Sequence, residues 1–261
     1  MKEKTSRRAW LAVAAWITLC AASPGAHADD IHVLATGALH GAFEQLVPLF
    51  EKSSGHRLEI AWGPSYGTSP EALPMRLRNG EPVDICFMIK PALQQEVDAG
   101  RFDRTSLSDI AASGIGVAVR KGLAVPDVGS DDALRRALLS ARSVAFSEGA
   151  SGTYIVGTLF ERLGIAEQMK SKSVLIRGKE LVGAALARGD AELGLQQISE
   201  LKVTPGIDFA GPLPADVQKT SVISSAIAVH AQAADASRAF AAFLKTAPAV
   251  AVLNKTGLDP L

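Results

Sequence analysis

The sequence of 261 residues contains only two cysteines, Cys20 and Cys86, and this scarcity excludes two classes of protein. A disulfide framework needs several cysteine pairs, and a structural zinc site needs closely spaced Cys or His ligands. Basic and acidic residues number 27 each, so no basic surplus indicates binding to nucleic acid. With 48% apolar and 21% charged residues, the composition is typical of a folded globular chain.

Motifs for common cofactors are missing as well. The chain has no P-loop, no H-E-x-x-H and no complete G-x-G-x-x-G. The four histidines after residue 28 (His32, His40, His56 and His230) show no spacing typical of metal ligands. We therefore expect neither a metal ion nor a cofactor.

Residues 1–28 have the pattern of an export signal. A basic start precedes an apolar run over 9–22, which is short for a membrane span. The A-H-A sequence at 26–28 supplies the small residues of a cleavage site. We expect cleavage after Ala28, a periplasmic mature protein and no stable membrane insertion. The remaining cysteine, Cys86, lies in an apolar run and is expected to be a buried thiol.

Patterns typical of strands and helices alternate through the rest of the chain, which predicts an α/β fold. Two long strand-like stretches, 113–119 and 221–229, bracket a self-contained βα block. We expect two lobes joined by two crossing strands, with a ligand cleft between them. The first lobe would contain 29–112 plus 226–261, and the second, inserted lobe would contain 113–225.

Three strand-to-helix turns carry small or hydroxyl residues that suit close approach to a ligand. Their candidate binding residues are Gly37 and Ala38, then Ser65, Tyr66 and Thr68, then Ser151, Gly152 and Thr153. Helix N-termini offer unpaired N–H groups and a partial positive charge, so together these turns favour an anion. In any single turn, the alternative is a hydroxyl that only caps a helix.

Side chains that could move a proton lie near these turns. The two tyrosines, Tyr66 and Tyr154, lie in or beside them and suit hydrogen bonding to a ligand, although each could instead anchor an interface through its ring. Glu148 adjoins the third turn and is either a cap or a proton carrier. His40 follows the first turn and is a further candidate.

Two cations and two amides complete the candidate site. Arg177 and Lys179 precede a helix whose dipole they oppose, which a bound carboxylate or a solvated loop would explain. Gln196 and Gln197 end an apolar strand, where buried amides require partners.

The stretch G-P-S-Y-G at 63–67 also matches G-x-S-x-G, the nucleophile elbow of serine hydrolases. That elbow requires an immediate strand–turn–helix, whereas T-S-P at 68–70 lengthens this loop. A hydrolase with Ser65 as its nucleophile is therefore a third alternative.

The layout resembles the periplasmic solute-binding proteins of the molybdate-binding type, along essentially the whole chain after residue 28. The similarity rests on the small-residue turn at 35–39, F-E-x-x-x-G at 50–55, E-P-V-D-I at 81–85 and R-G-D-A-E-L-G at 188–194. This resemblance implies a type II periplasmic binding protein fold and a small anion as ligand.

The ligand that the resemblance implies differs from molybdate. Binders of that ion typically place a serine in the first turn, a serine in the second loop and a tyrosine after a late strand. The matching positions here are Ala38, Ser65 and Gln197, and two of the three depart from the pattern. Together with the extra cations Arg177 and Lys179, this favours a larger carboxylate anion.

Two longer motifs, W-G-P-S-Y-G-T-S-P at 62–70 and L-Q-Q-I-S-E-L at 195–201, resemble an enzymatic branch of that family, the aconitate isomerases. The resemblance implies interconversion of trans- and cis-aconitate by a 1,3-allylic proton shift. The candidates for the base are Glu148, which we place first, His40 and Tyr66, and the sequence does not choose among them. The alternative is a periplasmic receptor that delivers an organic polycarboxylate, or an oxyanion such as molybdate, to the membrane subunit of a transporter.

Overall fold

The computed structural model describes residues 28–261. The export signal expected over residues 1–28 lies outside the described residues except for Ala28. Within 28–261, no single helix is both long and apolar enough to cross a bilayer. One helix pair, Ala234–Phe243 with Ala247–Lys255, passes that test only jointly and is bent by 67° at its break.

The first lobe is built on a six-stranded sheet. From edge to edge, its strands are β11 (Asp259–Pro260), β4 (Ser108–Ser113), β10 (Ser221–Ile227), β3 (Ile85–Ile89), β1 (Asp30–Ala35) and β2 (Arg57–Trp62). Strand β1 runs parallel to β2 and β3, whereas β10 is antiparallel to β3 and β4. The helices in these parts of the chain are α1 (His40–Ser54), α2 (Leu73–Arg78), α3 (Lys90–Asp98), α10 (Ala234–Phe243) and α11 (Ala247–Lys255).

The second lobe is built on a five-stranded sheet. Its strands in order are β7 (Ser173–Ile176), β6 (Val144–Ser147), β8 (Leu193–Gln197), β5 (Ile115–Arg120) and β9 (Ile207–Pro212). Its helices are α4 (Asp131–Ser140), α5 (Ala150–Tyr154), α6 (Phe160–Arg162), α7 (Ala166–Met169), α8 (Val182–Arg188) and α9 (Ile198–Lys202). A π-helical turn, Ile155–Leu159, joins α5 to α6. The α/β fold with two lobes is thereby confirmed.

The chain passes between the sheets twice. It leaves the first sheet at Gly114, between β4 and β5, and returns through 213–220, between β9 and β10. The predicted boundary after residue 225 lies inside β10, because Ser221 pairs with Ser113 and Ser225 pairs with Phe87. The strand-like run at 221–229 is thus a strand of the first sheet, and the return crossing precedes it.

Apolar runs in the sequence form strands whose side chains are buried on both faces of the sheet. All five residues of β3 are buried. Among them, Cys86 is a buried free thiol, as the sequence predicted, and burial raises the pKa of this thiol. On one face, the rings of Phe43, Phe87 and Phe240 meet edge to face at 5.3–5.8 Å between ring centroids. This packing fixes α1 and α10 on β3 and so positions the start of α1.

The buried carboxylate of Asp84 joins two segments of the first lobe that are distant in the sequence. It accepts hydrogen bonds from the backbone N–H groups of His32, Gln232 and Ala233 at 2.7–3.0 Å. Burial alone would raise the pKa of Asp84, but these hydrogen bonds hold it below its ordinary value. The aspartate of the E-P-V-D-I motif therefore joins segments of the first lobe.

Several elements were not predicted. Strand β9 contains Gly211 and Pro212, which weaken its strand pattern, and α9 has only five residues. Helix α5 begins at Ala150, so its N-terminus lies at the end of β6. The third turn is therefore at the carboxyl end of that strand.

Candidate functional site

A small cavity of about 40 Å³ lies where the two lobes face each other. From the first lobe it is lined by Gly37, His40, Trp62, Gly63, Pro64 and Ile89, and from the second by Ser147, Gly149, Ala150, Ser151, Gly178, Lys179, Glu180, Leu181, Gln196, Gln197 and Glu200. A wider space of about 590 Å³ shares five of these lining residues: His40, Trp62, Lys179, Glu180 and Leu181. The cavity therefore lies between the carboxyl ends of strands from both sheets, the usual place for a ligand in such folds.

The first turn approaches the second lobe closely because it contains glycine. A Cβ atom at Gly37 would lie only 2.5 Å from Oε1 of Glu200, so a side chain there would displace the carboxyl group. The neighbouring Ala38 instead belongs to the core of the first lobe and does not line the cavity. Of the two residues predicted in this turn, only Gly37 borders the cleft.

Glu200 was missed as a functional residue by the sequence analysis. It is the third residue of α9, only 8% exposed, and it lines the cavity. Burial raises the pKa of its carboxyl group to about 8, and a hydrogen bond from the backbone N–H of Gln197 offsets this only in part. The available signal was an acid inside the otherwise apolar or amide-bearing stretch L-Q-Q-I-S-E-L.

The loop after β7 brings two cations to the cleft. Lys179 lines both the cavity and the wider space, and among residues 28–261 it has no carboxylate partner. Its neighbour Glu180 pairs with Arg188 instead. Arg177 lies further out, with its side chain 65% exposed and 3.7 Å from Oε2 of Glu148. Lys179 is therefore the cation best placed for a bound carboxylate.

The side chain of Glu148 is only 6% exposed, and it has a structural partner. Its Oε1 accepts a hydrogen bond of 2.8 Å from the N–H of Gly178, which fixes the cation-bearing loop. Across the cleft, a Cβ atom at Gly67 would lie 2.7 Å from its Cδ, so the second loop of the first lobe packs directly on this carboxylate. Thr68 lies beside the same contact.

The third turn supplies small residues and hydroxyl groups. Ser151 lines the cavity and its Oγ lies 3.4 Å from Oγ of Ser147. Gly152 passes so close to the carbonyl oxygen of Ser147 that no side chain fits. The hydroxyl of Thr153 donates to the carbonyl of Gly149 at 3.0 Å and thus closes the first turn of α5.

An aromatic wall bounds the cavity on the side of the first lobe. The ring of His40 packs against Trp62 with their centroids 4.8 Å apart, and its Nδ1 lies 3.5 Å from the carboxylate of Glu44. His40 lines both the cavity and the wider space. This histidine is thus the predicted proton carrier that borders the cavity itself.

Three other predicted residues lie behind the cleft. Oγ of Ser65 accepts a hydrogen bond of 3.0 Å from the N–H of Ile89, and Ser65 is buried. Tyr66 packs among core side chains, and burial raises the pKa of its hydroxyl, which disfavours the phenolate. The hydroxyl of Tyr154 donates to the carbonyl of Val217 at 2.8 Å. These side chains hold loops in place instead of bordering the cavity.

The two amides at the end of β8 lie at the floor of the cleft. Oε1 of Gln196 accepts from the N–H of Val182 at 2.8 Å and fixes the start of α8. The amide of Gln197, oriented with its NH₂ toward the carbonyl groups of Ser113 and Gly114, reaches the outgoing crossing, and its oxygen accepts from Ser221. Gln197 therefore ties the cleft floor to both crossings between the lobes.

No cluster of three metal-ligating side chains exists within the part of the chain that the structure describes. In that same part, no imidazole forms a hydrogen bond with Ser65, whose hydroxyl is occupied by the backbone of β3. The 40 Å³ cavity instead combines one buried acid, Glu200, with the unpaired cation Lys179, the histidine His40 and several small residues.

The family model of the bacterial extracellular solute-binding proteins matches residues 31–259. The chain belongs to this family. Among its relatives, this solute-binding protein is 38% identical to an aconitate isomerase from a Pseudomonas species over 243 residues, which cover 93% of this chain and 91% of the relative.

Solved structures agree with the fold of this family. The periplasmic molybdate-binding protein of Azotobacter vinelandii superposes with a TM-score of 0.70 at 20% identity, covering 87% of this chain and 98% of that one. The sulfate-binding protein of Mycobacterium tuberculosis superposes with a TM-score of 0.68 at 15% identity, covering 89% and 87%. These similarities establish the binding-protein fold.

Proposed function

We propose that this protein is an isomerase that interconverts trans- and cis-aconitate in the cleft between its lobes. The observation that carries the proposal is the 38% identity to an aconitate isomerase, which extends over nine-tenths of both chains. The cleft supports it, because one cavity is lined by both a buried acid for proton transfer and an unpaired cation for a carboxylate.

The reaction is a 1,3-allylic proton shift. A base removes a proton from the methylene carbon, and the electron pair of that bond spreads through the double bond into a carboxylate. The proton then returns to the carbon at the other end of the allylic system, and the double bond forms in its new position. Atoms and charge balance without an oxidant or reductant, because the substrate delocalises its own charge.

The cleft residues would divide this work. Lys179 binds one carboxylate at the cavity, and Arg177 lies where a carboxylate entering through the outer cleft would meet it. Backbone N–H groups at the start of α5, whose Ala150 and Ser151 line the cavity, add donors for the developing negative charge. Ser151 and Gln196 line the cavity and orient the substrate.

Among the base candidates named from the sequence, His40 borders the cavity, while Glu148 bonds Gly178 and lines the outer cleft. Tyr66 lies among core side chains. His40 is therefore the best placed of the three for contact with a substrate, and it stacks on Trp62 at the mouth of the wider space.

We further propose that the protein is exported to the periplasm and cleaved after Ala28. The family of extracellular solute-binding proteins supports an exported location. A tricarboxylate delivered from outside the cell would then meet the enzyme before uptake. Mass spectrometry of the protein purified from the periplasm tests this, and an N-terminus other than Asp29 would contradict the cleavage site.

A second candidate function is a receptor that delivers an anion to a membrane transporter. The fold similarity to molybdate- and sulfate-binding proteins favours it. Such a receptor would hold an organic polycarboxylate or an oxyanion in the same cleft and move no ligand proton.

Proton NMR of trans-aconitate in heavy water separates the two functions. With the mature protein free of added metal, the isomerase should form cis-aconitate and take up deuterium from solvent. A receptor should broaden or shift the trans-aconitate signals without new product. Absence of both effects would reject a tricarboxylate ligand, and thermal shift with molybdate and sulfate would then test the receptor.

A further inference from the structure

Two features set Glu200 apart from the other acids around the cleft. Its carboxyl group lines the cavity between the lobes although the residue is only 8% exposed. Its Oε1 lies so close to the first turn of the opposite lobe that a Cβ atom at position 37 would be 2.5 Å from it and would displace it. Glu200 thus reaches from the second lobe to the facing turn of the first lobe.

The carboxyl group of Glu200 has almost no partners. Among residues 28–261 it forms no ion pair, and the backbone N–H of Gln197, at the start of the same helix, is the only group that favours its charged form. A glutamate at the third position of a helix ordinarily caps that helix. Burial against the opposite lobe is not required for capping, so this position calls for another explanation.

We propose that Glu200 is the catalytic proton carrier of the isomerisation, a role that rests on the proposed function. Its carboxylate takes the proton from the methylene carbon, and the resulting carboxylic acid returns a proton to the opposite allylic carbon. Meanwhile the negative charge moves into a substrate carboxylate that Lys179 binds. No other reactant is needed, and the carboxyl group ends the cycle as it began.

The environment of Glu200 suits this chemistry. A buried carboxylate is a stronger base than a solvated one, and its high pKa of about 8 approaches the operating range of a base that works near neutrality. The ionisable groups that share its cavity are His40 from the first lobe and Lys179 and Glu180 from the second. Lys202, on its own helix, lies instead near Gly257.

The decisive experiment replaces Glu200 by its neutral isostere. Glu200→Gln should lower the rate of cis-aconitate formation about 10²–10⁴-fold, the usual contribution of a general base, with deuterium uptake falling in parallel. Calorimetric binding of trans-aconitate should stay within about threefold of the wild type, because the shape of the cavity is kept. The matched control Glu167→Gln, at an exposed ion pair with Lys170, should react like the wild type.

Three results would overturn the role of Glu200. Turnover of Glu200→Gln within about threefold of the wild type would show that another group moves the proton. Loss of binding in the folded variant, in proportion to the loss of turnover, would make Glu200 a binding residue. Conversely, a wild type that forms no cis-aconitate would reject the isomerase itself, independently of this variant.

The pH dependence of the wild type is a second test that needs no substitution. If ionised Glu200 is the base, kcat/KM should rise with pH and level off above about pH 8. Glu200→Asp keeps a carboxyl group but shortens the side chain, so the distance to the substrate increases. In this variant kcat/KM should still rise with pH, but turnover should be slower. A wild-type profile that is flat from about pH 6 to about pH 9 would overturn the proposal.

Discussion

The two ends of the cleft use the same construction with different chemistry. At the outer end, the carboxylate of Glu148 packs against Gly67 of the opposite lobe, and at the inner end the carboxyl group of Glu200 packs against Gly37. Each acid is buried, and each faces a residue without a side chain. Each also accepts a backbone hydrogen bond, Glu148 from Gly178 and Glu200 from Gln197. Glu148, however, lies 3.7 Å from the cation of Arg177, whereas Glu200 has no cation partner among residues 28–261.

This difference separates a structural acid from a reactive one. The carboxylate of Glu148 holds the loop that donates to it and that carries Arg177. The buried carboxyl group of Glu200, with a single backbone donor and no cation, is held largely as the neutral acid, and its conjugate base is correspondingly strong. Burial of an acid therefore indicates function only together with its list of partners.

The largest effect should appear in the stability of Glu200→Gln as pH changes. In the folded protein Glu200 keeps its proton up to about pH 8, whereas the unfolded chain loses it near 4.5, so the wild type loses stability as pH rises between these values. Glutamine does not titrate. At about 1.4 kcal/mol per pKa unit, the variant should gain several kcal/mol relative to the wild type from about pH 5 to about pH 8.

Urea denaturation at both pH values measures this gain. Glu167→Gln controls for the loss of one negative charge at the surface. A difference between Glu200→Gln and the wild type that is equal at both pH values would contradict the raised pKa, and with it the contrast between the two acids.

Substituting the glycines of the two contacts should have different effects: Gly37→Ala should mainly lower turnover, and Gly67→Ala should mainly lower stability. In Gly37→Ala, the new Cβ atom would lie 2.5 Å from Oε1 of Glu200, and a shift of about 1 Å at a reacting group can cost about 10²-fold in turnover. Gly67 has a φ of +111°, so Gly67→Ala adds backbone strain of about 1–3 kcal/mol to the contact with Glu148. Steady-state kinetics and thermal unfolding of both variants separate these effects. Equal kinetic losses would remove the distinction.

Removing the inner cation, Lys179, should weaken substrate binding more than removing the outer cation, Arg177. Lys179→Met removes a charged donor at the cavity, so trans-aconitate should bind about 10–100-fold more weakly, which corresponds to about 1.5–3 kcal/mol. Arg177→Met removes a cation whose side chain is 65% exposed, and water and salt screen it, so the loss should be below about fivefold. Calorimetry measures both constants, and a larger loss for Arg177→Met would move the binding site to the outer cleft.

The smallest effect should be that of Glu148→Gln. The glutamine oxygen can still accept from the N–H of Gly178, so stability should change by less than about 1 kcal/mol, whereas Glu148→Ala leaves that N–H without its acceptor and should cost about 1–3 kcal/mol. Chemical denaturation distinguishes the two variants. If Glu148→Gln were the variant that lost turnover while Glu200→Gln kept it, the two acids would exchange roles.

Much of the fold could be predicted from sequence because it depends on local patterns. The apolar run of β3 and the helical spacing after Gly37 determine elements that tertiary packing leaves nearly unchanged. The boundary between the lobes was harder to predict from the sequence, because the run beginning at Ser221 has the same strand pattern whichever sheet it joins. Its pairing with β3 and β4 is a long-range property.

The candidate site was predictable by position but less so by side-chain direction. The turns that reach the cleft were identified, and Gly37, Ser151 and Lys179 line its cavity. In the same turns, the hydroxyls of Ser65 and Tyr154 bond to the backbone instead. Which way a loop side chain points depends on partners distant in the chain, and turn chemistry does not specify it.

Glu200 shows the same limit more strongly. In the sequence it is one acid near the start of a short helix, where acids are common because they favour the helix dipole. Gly37, in a different lobe, approaches its carboxyl group closely, and no local pattern contains that contact. The resemblance to aconitate isomerases covered L-Q-Q-I-S-E-L but attached no role to its acid.

The most direct measurement is a crystal structure of the protein with propane-1,2,3-tricarboxylate, the saturated analogue that cannot isomerise. We expect the analogue to occupy the cleft with one carboxylate on Lys179 and a methylene carbon about 3–3.5 Å from a carboxyl oxygen of Glu200. An analogue bound in the cleft with its methylene carbons against another ionisable group, or bound outside the cleft, would contradict this expectation.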